Sequence, residues 1–244
     1  MSQSITFEPR QTSAIPTLKP AQQKSSPFEL RIVTGDQQRR EIYRLRRRAY
    51  EKLLEASPCE GEAEFRDVFD ELPTTLQIGA YDDGRLVGAM RLCFSRAWDG
   101  LEPLPCASYY PELRAIKRAA RGSLMEVSRF SIDTDIANTS YRTTLYASLV
   151  RTSLIAAEAA DVSTFLIATR PDWVRFYKYM LGFELIGEPA FYPPGDMKIA
   201  LLGGSLDQAR KRQRMQNAFF QIDTREIASM RQALAPIMTR VEAA

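Results

Sequence analysis

The sequence feature that most constrains the fold is a β-hairpin predicted over residues 74–94, TTLQIGAYDDGRLVGAMRLCF. Both arms are rich in apolar and β-branched residues in alternation, a pattern that is typical of paired strands. Asp82, Asp83 and Gly84 separate the arms, and Gly84 can adopt the positive φ that a tight turn requires. The chain therefore contains an antiparallel pair of strands, and the flanking segments have to cover the sheet to which it belongs.

Strand and helix patterns alternate on both sides of this hairpin. Apolar residues recur at helical spacing after residue 36, residues 143–160 form a strongly apolar helix pattern, and residues 171–181 predict a short helix that ends at Gly182. Further strands are predicted at 28–33, 124–133, 163–169, 183–188 and 198–204. This order indicates an α/β protein with one mixed sheet of six or seven strands.

The composition is that of an ordinary globular protein, with 45% hydrophobic and 26% charged residues in a chain of 244. Residues 1–27 are rich in Ser, Thr, Gln and Pro, and we expect them to form a flexible segment. One domain is expected over residues 28–204, followed by a helical extension over residues 205–244. We find no transmembrane or secretory signal pattern, so we expect a cytoplasmic protein.

Histidine is absent from the chain, which excludes Ser–His–Asp and Cys–His nucleophiles and removes the commonest zinc ligand. The three cysteines, Cys59, Cys93 and Cys106, are widely spaced and form no CxxC pair. Structural thiols are therefore expected, rather than a disulfide framework or a metal site. Any acid–base chemistry has to use Glu, Asp, Tyr, Lys, the backbone or water.

The predicted strand at 124–133, LMEVSRFSID, carries two charges among apolar residues. Glu126 and Arg129 are three residues apart, so in a regular strand their side chains point to opposite faces. They can share a cleft only if a β-bulge intervenes around Val127–Ser128, and such a bulge also frees backbone N–H groups. The alternative is an internal ion pair of Glu126 with Arg129 or Arg91 that fixes the strand to its neighbours.

Two sets of motifs resemble known acyltransferases. Residues 165–188, FLIATRPDWVRFYKYMLGFELIGE, resemble the carboxy-terminal motif of the GNAT superfamily through Phe176-Tyr177 and Gly182-Phe183. Upstream, RLRRRAY, DVFD, GRLVGAMRL and MEVSRF resemble, in the same order, motifs of acyl-homoserine lactone (autoinducer) synthases and N-acyl amino acid synthases, so that the likeness spans residues 40–190. The upstream residues that carry it are Arg46, Tyr50, Asp67, Asp70, Arg91, Glu126, Ser128, Arg129 and Phe130.

The resemblance implies a GNAT-like mixed, mostly antiparallel sheet that is splayed at its centre and flanked by helices. It also implies direct acyl transfer, in which an amine attacks a thioester and Glu126 accepts the proton directly or through a water. Glu126, Ser128 and Arg129 form the predicted catalytic group, with backbone N–H groups near Val127–Ser128 at the oxyanion. The predicted substrate-binding residues are Arg46, Tyr50, Asp67, Asp70, Arg91 and Phe130, and those for the pantetheine of the donor are Val127, Arg142 and Tyr177.

Several of these residues have alternative interpretations. Asp67 and Asp70 either order the chain over the amine site or cap a helix or turn. Arg91 and Arg129 order the carboxylate network, or one of them binds the carboxylate of the substrate. Tyr177 matches a tyrosine that acts as a general acid in many members of the superfamily, and here we expect it to contact the thiol end of the donor.

Two departures from the family pattern refine the expected substrates. The lactone synthases carry a tryptophan shortly after the motif around Arg46, whereas EKLLEASPCEGE at residues 51–62 has none and Tyr50 stands where phenylalanine is usual. This favours an N-acyl amino acid synthase, or a relative that acylates another amine, over a lactone synthase that uses S-adenosylmethionine. YRTTLYA replaces the glycine-rich pyrophosphate loop and keeps Arg142, which favours acyl carrier protein over acyl-CoA as the donor. No cofactor is expected besides this acyl-phosphopantetheine or acyl-CoA substrate.

Basic residues cluster at 39–48, 114–122 and 209–214, although the net charge is only +3. Each run alone is typical of a solvated helix face, whereas together they indicate an acidic partner. No nucleic-acid motif accompanies them, so acyl carrier protein is the expected partner beside a small-molecule amino acid. A catalytically silent GNAT-like module that binds a partner is the alternative, and the sequence leaves the oligomeric state open. The residues expected to attract the carrier protein are Arg39, Arg40, Arg47, Arg48, Lys117, Arg118 and Arg121.

Overall fold

A computed structural model of the chain describes residues 27–51, 64–192, 197–216 and 218–239. The strands in this part of the chain are β1 (Glu29–Val33), β2 (Thr75–Asp82), β3 (Arg85–Ser95), β4 (Ser123–Ile132), β5 (Val162–Thr169), β6 (Glu184–Tyr192) and β7 (Met197–Ser205). The α-helices are α1 (Asp36–Glu51), α2 (Leu113–Ala119), α3 (Thr139–Ala159), α4 (Val174–Leu181), α5 (Leu206–Gln216) and α6 (Thr224–Met238). The segment before residue 27 that we expect to be flexible and the predicted thiol of Cys59 lie outside the described residues.

The strands form one sheet of seven, in the order β1-β2-β3-β4-β5-β7-β6. β4 and β5 are parallel and are joined through α3, while every other neighbouring pair is antiparallel. The predicted hairpin is confirmed, since Asp83 and Gly84 join β2 to β3 with φ values of 46° and 79°. The fold is therefore the predicted mixed, mostly antiparallel sheet flanked by helices.

The sheet opens at its centre between β4 and β5. The ladder of this parallel pair ends where Val127 is paired with Ile167. Beyond that point the described residues of β4 pair with β3, and Ala168 and Thr169 of β5 pair with β7. The splay that we expected at the centre of the sheet is confirmed, and it leaves a gap that connects the two faces of the sheet.

Alternating side chains divide the core into two layers. On one face, Met125 and Val127 of β4 pack in the same cluster as Leu149 of α3. On the other face, Leu124 packs in a cluster with Leu104, which belongs to the long connection between β3 and β4. This alternation follows from the period of two residues in a strand. The connection before β4 is thereby held against the strand that carries Glu126.

The C-terminal extension contributes to the larger of these layers. Leu206 and Ala209 of α5 are buried in the same cluster as α3, as are Phe219, Phe220 and Leu234. The expected helical extension contains α5 and α6, and α6 turns an apolar stripe toward α3. Over the described ranges, no helix combines the length and the hydropathy that crossing a bilayer requires.

Candidate active site

A β-bulge interrupts β4 immediately after its ladder with β5 ends. Arg91 of β3 pairs with Ser128, whereas Ala89 pairs with Ser131, so that β4 carries one extra residue in this interval. Arg129 in the bulge adopts a left-handed φ of 57°. This conformation costs a non-glycine residue on the order of 1 kcal/mol, so other contacts of Arg129 have to offset it.

The bulge lies two residues beyond its expected position. We expected it around Val127–Ser128, and it lies at Arg129–Phe130. The reason is that Val127 is fully buried in the core and still paired with both neighbouring strands, while Ser128 is paired with Arg91. The extra residue turns the guanidinium of Arg129 away from the apolar layer and toward the carboxylates described next.

Three buried arginines and two aspartates form one ion-pair network. Arg46 Nη1 lies 2.9 Å from Asp70 Oδ2. Arg91 Nη1 lies 3.1 Å from Asp70 Oδ1 and 2.6 Å from Asp67 Oδ1. Arg129 Nη2 lies 2.7 Å from Asp67 Oδ2. The five residues were all predicted from the sequence and belong to four separate elements. The fold brings them together although they are far apart along the chain.

The two aspartates also cap a short 3₁₀ helix at Val68–Glu71. Asp67 Oδ1 accepts a hydrogen bond from the N–H of Phe69 at 3.0 Å, and Asp70 Oδ2 accepts one from the N–H of Asp67 at 2.9 Å. The capping interpretation is thus confirmed, and the same carboxylates bind the arginines. Reciprocal caps of this kind fix both carboxylates relative to the backbone, which preorganises the network.

Gln77 of β2 is a member of the network that we did not predict. Its Nε2 donates to Asp70 Oδ1 at 2.8 Å, and its Oε1 accepts from Arg46 Nη2 at 3.0 Å. It is almost fully buried and stands opposite Arg91 in the hairpin. The available signal was an amide side chain in an otherwise apolar strand arm, where a buried polar group has to find partners.

Burial acts to raise the pKa of Asp67, but the charges of Arg91 and Arg129 outweigh it and hold that pKa well below its usual range. Burial opposes the charges of Arg46 and Arg91 at Asp70 in the same way, and the pKa of Asp70 is also lowered. Both carboxylates are therefore ionised at neutral pH. Three guanidiniums then face two carboxylates, so that one positive charge remains to attract an anionic group.

Glu126 lies beside this network in a different environment. It is fully buried, and its Oε2 accepts a hydrogen bond from the N–H of Cys106 at 3.0 Å. Its Oε1 has no hydrogen-bond partner among the described residues. Burial raises the pKa of Glu126 to about 7, although the Cys106 N–H and the charges of Arg91 and Arg129 act in the opposite direction. A carboxyl group of this kind can hold or accept a proton at neutral pH.

Among the described residues, Glu126 forms no ion pair with Arg129 or Arg91, because both guanidiniums pair with Asp67. Cys106, which we predicted only as a structural thiol, positions Glu126 through its backbone. Neither its thiol nor that of Cys93 is in a disulfide, both are buried, and Cys93 Sγ accepts a hydrogen bond from Thr75 Oγ1 at 3.4 Å. Burial raises the pKa of both thiols. The Cys106 side chain also forms a hydrogen bond with Glu126, so the structural role expected of the cysteines stays a prediction.

Aromatic rings surround the guanidinium of Arg129. Its Cζ lies 4.7 Å from the ring centroid of Phe65, 5.5 Å from that of Tyr192 and 5.8 Å from that of Tyr50. Tyr50 is a predicted residue, whereas Phe65 and Tyr192 had no distinguishing pattern in the sequence. Rings at these distances attract a cation and exclude water, which strengthens the electrostatic interactions of Arg129.

A cavity of 620 Å³ lies at the gap between β4 and β5. Small-molecule sites typically occupy roughly 300–1,000 Å³, so the cavity has room for an extended apolar group. Tyr50, Arg129 and Arg142 supply polar groups to its wall. The larger aromatic and apolar side chains in its wall include Phe130, Ile132, Tyr146, Val150, Trp173, Phe176, Met180, Met197, Ile199 and Phe220.

The remaining predicted residues lie around this cavity or just behind it. Tyr177 lines it, accepts a hydrogen bond from the hydroxyl of Tyr146, and has its pKa raised by burial. Arg142 also lines it and donates to the carbonyl oxygens of Asp133 and Ile136 at 3.2 and 3.3 Å.

Two further predicted residues belong to β4. Ser128 Oγ accepts a hydrogen bond from Arg91 Nε at 3.3 Å, which links the catalytic prediction for Ser128 to the ion-pair network. The side chain of Val127 is fully buried in the core, so that its backbone is the part available to a ligand. The catalytic and binding roles of all these residues stay predictions.

Comparison with known proteins places the chain in a family. The sequence matches the family described as N-acyl amino acid synthase FeeM over residues 41–205. The structure of FeeM from uncultured soil microbes superposes with a TM-score of 0.60 at 20% identity, covering 80% of this chain and 98% of that chain. No curated protein matches the sequence.

Two acyl-homoserine lactone synthases share the fold. LasI superposes with a TM-score of 0.58 at 17% identity, covering 82% of this chain and 100% of that chain. The CoA-dependent synthase BjaI superposes with a TM-score of 0.52 at 15% identity, covering 84% of this chain and 99% of that chain. Because the family match spans more than half of the sequence, the chain belongs to the FeeM family of N-acyl amino acid synthases, which are acyltransferases with a GNAT-like fold.

Proposed function

We propose that the protein transfers a fatty acyl group from a thioester on acyl carrier protein to the amine of an amino acid. The observation that carries this proposal is the apolar cavity of 620 Å³ whose wall includes Arg129, the arginine of the ion-pair network that faces the gap in the sheet. A long acyl chain needs an apolar slot of this kind, and an amino acid needs a cation for its carboxylate.

In this mechanism the amine nitrogen attacks the thioester carbonyl carbon, and the nitrogen–carbon bond forms as the carbonyl oxygen gains negative charge. Glu126 is fully buried and is not part of the cavity wall, so it accepts the amine proton through a water. A carboxyl with a pKa of about 7 is a suitable base at neutral pH. The carbon–sulfur bond then breaks, and the pantetheine thiolate leaves and takes up a proton. The acyl group ends on nitrogen.

The backbone of β4 beyond Val127 is the proposed source of donors for the oxyanion and for the pantetheine. Its ladder with β5 stops at Val127, and the bulge at Arg129 interrupts the ladder with β3. N–H groups aimed at a developing oxyanion stabilise the transition state more than the ground state. Ser128, which is held by Arg91, fixes the backbone at this point.

Arg129 is the proposed contact for the carboxylate of the amino acid. It lines the cavity, whereas the wall of the cavity contains neither Arg46 nor Arg91 among the described residues. The surplus positive charge of the network supports this choice, since three guanidiniums face two carboxylates. Planar guanidinium groups bind carboxylates with two parallel hydrogen bonds, which also orients the amine.

In this proposal, the positive charge of the surface favours acyl carrier protein as the acyl donor. Arg40, Arg48, Arg118 and Arg121 are exposed and available to an acidic partner. Two other residues of the predicted basic surface have partners within the chain: Arg47 pairs with Glu51, and Lys117 donates to the Ser95 side chain and to the carbonyl oxygens of Ser95 and Arg96. The exposed arginines are therefore the ones to test.

The KM for acyl carrier protein is expected to rise severalfold between about 0.1 M and 1 M salt, because the Debye length falls from about 10 Å to about 3 Å over this range. Steady-state kinetics at several salt concentrations measure this effect. Arg48→Glu is expected to raise the KM at low salt and to flatten the salt dependence. Arg225→Glu, at an exposed position of α6, changes the charge equally and serves as the control. A KM indifferent to salt contradicts docking of the carrier protein on this face.

Mass spectrometry of lipid extracts from cells that express the wild type or Glu126→Gln tests the reaction itself. N-acyl amino acids present only with the wild type support the proposal, and their masses give the chain length and the amine together. N-acyl homoserine lactones, with release of methylthioadenosine, identify a lactone synthase instead. If folded wild-type protein yields no acylated amine, the proposed function is wrong and a partner-binding module becomes the better interpretation.

A further inference from the structure

We propose that Phe220 forms the closed end of the acyl cavity and limits the length of the acyl chain that the enzyme accepts. The inference rests on the proposed function for the nature of the ligand. Phe220 belongs to the C-terminal extension, beyond residue 205 where the family match ends. The limit on chain length would therefore be a property of this chain rather than of the matched family region.

The position of Phe220 follows from the residues that share the cavity wall with it. The wall includes α3 from Thr139 to Val150, a distance of about 16 Å along the helix axis at 1.5 Å per residue. Arg142 lies near the first end of this stretch, and Val150 lies at the other. Phe220 is adjacent to the end at Val150, as the contacts of the following residue, Arg151, show.

Arg151 holds the backbone on both sides of Phe220. Its Nε donates to the carbonyl oxygen of Phe219 at 2.7 Å, and its Nη2 donates to that of Gln221 at 2.9 Å. It also forms two hydrogen bonds with Glu226, at 2.6 and 2.7 Å. Arg151 is buried within an apolar helix, where an unpaired charge is costly, and here every one of these bonds goes to the extension.

The carboxylate of Glu226 is fixed in turn. Its Oε2 accepts a hydrogen bond from the N–H of Asp223, which caps the start of α6. The stretch that carries Phe220 is thus tied to α3 by Arg151 and to α6 by this cap. Phe220 itself is only 3% exposed and lines the cavity together with Val150 and Met180. Because the backbone around Phe220 is fixed in this way, we expect its phenyl ring to block the acyl chain and not to move aside.

The test measures dissociation constants of a homologous series of saturated fatty acids for the purified full-length protein, which requires neither the amine nor the donor. For the wild type, affinity is expected to increase about fourfold with each methylene until the chain reaches Phe220, and to stop increasing there. Phe220→Ala is expected to move this limit to longer chains, so that the longest acids bind at least about tenfold more tightly than to the wild type.

Three further variants make the test selective. Phe219→Ala removes a neighbouring buried phenyl ring that does not line the cavity, and the wild-type limit is expected to persist. Phe220→Leu is a milder variant in case alanine prevents folding, and Phe220→Trp is expected to move the limit to shorter acids. The same length profile in every variant, or wild-type binding without dependence on length, overturns the inference. Absence of N-acyl products with a shifted binding limit would count against the proposed function alone.

Discussion

Replacing Glu126 with glutamine is expected to lower kcat for acyl transfer by about 10²- to 10⁴-fold, the usual contribution of a general base. Glutamine keeps an oxygen that can accept the N–H of Cys106, but it cannot accept a proton from the amine. The wild-type rate is expected to rise with pH through about 7, since burial raises the pKa of Glu126 to about that value. The variant is expected to lose this dependence.

The same substitution is expected to stabilise the folded chain above pH 7. The pKa of Glu126 is raised from its ordinary 4.5 to about 7, so the folded chain binds the proton more tightly than the unfolded chain does. The free energy of unfolding therefore falls as the pH rises from about 4.5 to about 7, by on the order of 3 kcal/mol from this group. Glutamine carries no charge to bury, so the stability of the variant is expected to exceed that of the wild type at pH 8 and to match it near pH 5.

Chemical denaturation at pH 5 and pH 8, together with kcat profiles over the same range, measures both effects on one pair of proteins. Glu102→Gln, at an exposed glutamate in the connection before β4, is the control and is expected to change neither quantity. A Glu126→Gln enzyme that keeps its turnover contradicts the assignment of the base. A variant that is inactive and also less stable at pH 8 would indicate a structural requirement for the carboxylate.

The fold could be predicted because its elements carry strong local patterns. The hairpin at β2 and β3 has alternation and a turn, and α3 and β5 are apolar over the length that each element needs. The residues of the ion-pair network were predicted from the order of the family motifs along the chain, which gives no information on the distances between side chains. They are Arg46, Asp67, Asp70, Arg91 and Arg129. Their contacts depend on the tertiary structure, because the reciprocal caps fix the two aspartates and the strand register fixes Arg91 and Arg129.

The parts that were missed depend on relations between strands and loops. The position of the bulge is set by which residue of β4 pairs with Arg91, and no local pattern in the strand encodes this register. Cys106 meets Glu126 because a long irregular connection folds back over β4. Phe220 lies in a tail that is mostly polar in sequence, and only its packing against α3 brings it to the cavity.

Replacing Asp70 with alanine is expected to lower the free energy of unfolding at pH 7 by about 3–5 kcal/mol, the usual cost of removing one partner from a buried ion pair. Asp70 accepts hydrogen bonds from Arg46, Arg91 and Gln77, and its removal leaves the first two guanidiniums buried with less compensating charge. Urea denaturation at pH 7 measures the loss. Asp172→Ala is the matched control, since Asp172 pairs with Arg170 in another short 3₁₀ helix but is largely exposed.

The control variant is expected to lose no more than about 1 kcal/mol, because water screens an exposed ion pair. The pH dependence separates charge from packing in the Asp70 variant. The pKa of Asp70 is lowered in the folded chain, so its stabilising contribution is present above the pKa of the unfolded chain, about 3.9, and is lost as the pH falls toward the folded value. The difference between wild type and Asp70→Ala is therefore expected to shrink in acid. A difference that stays constant from pH 7 to pH 3 would show that Asp70 stabilises the fold by filling space and not by pairing with Arg46 and Arg91.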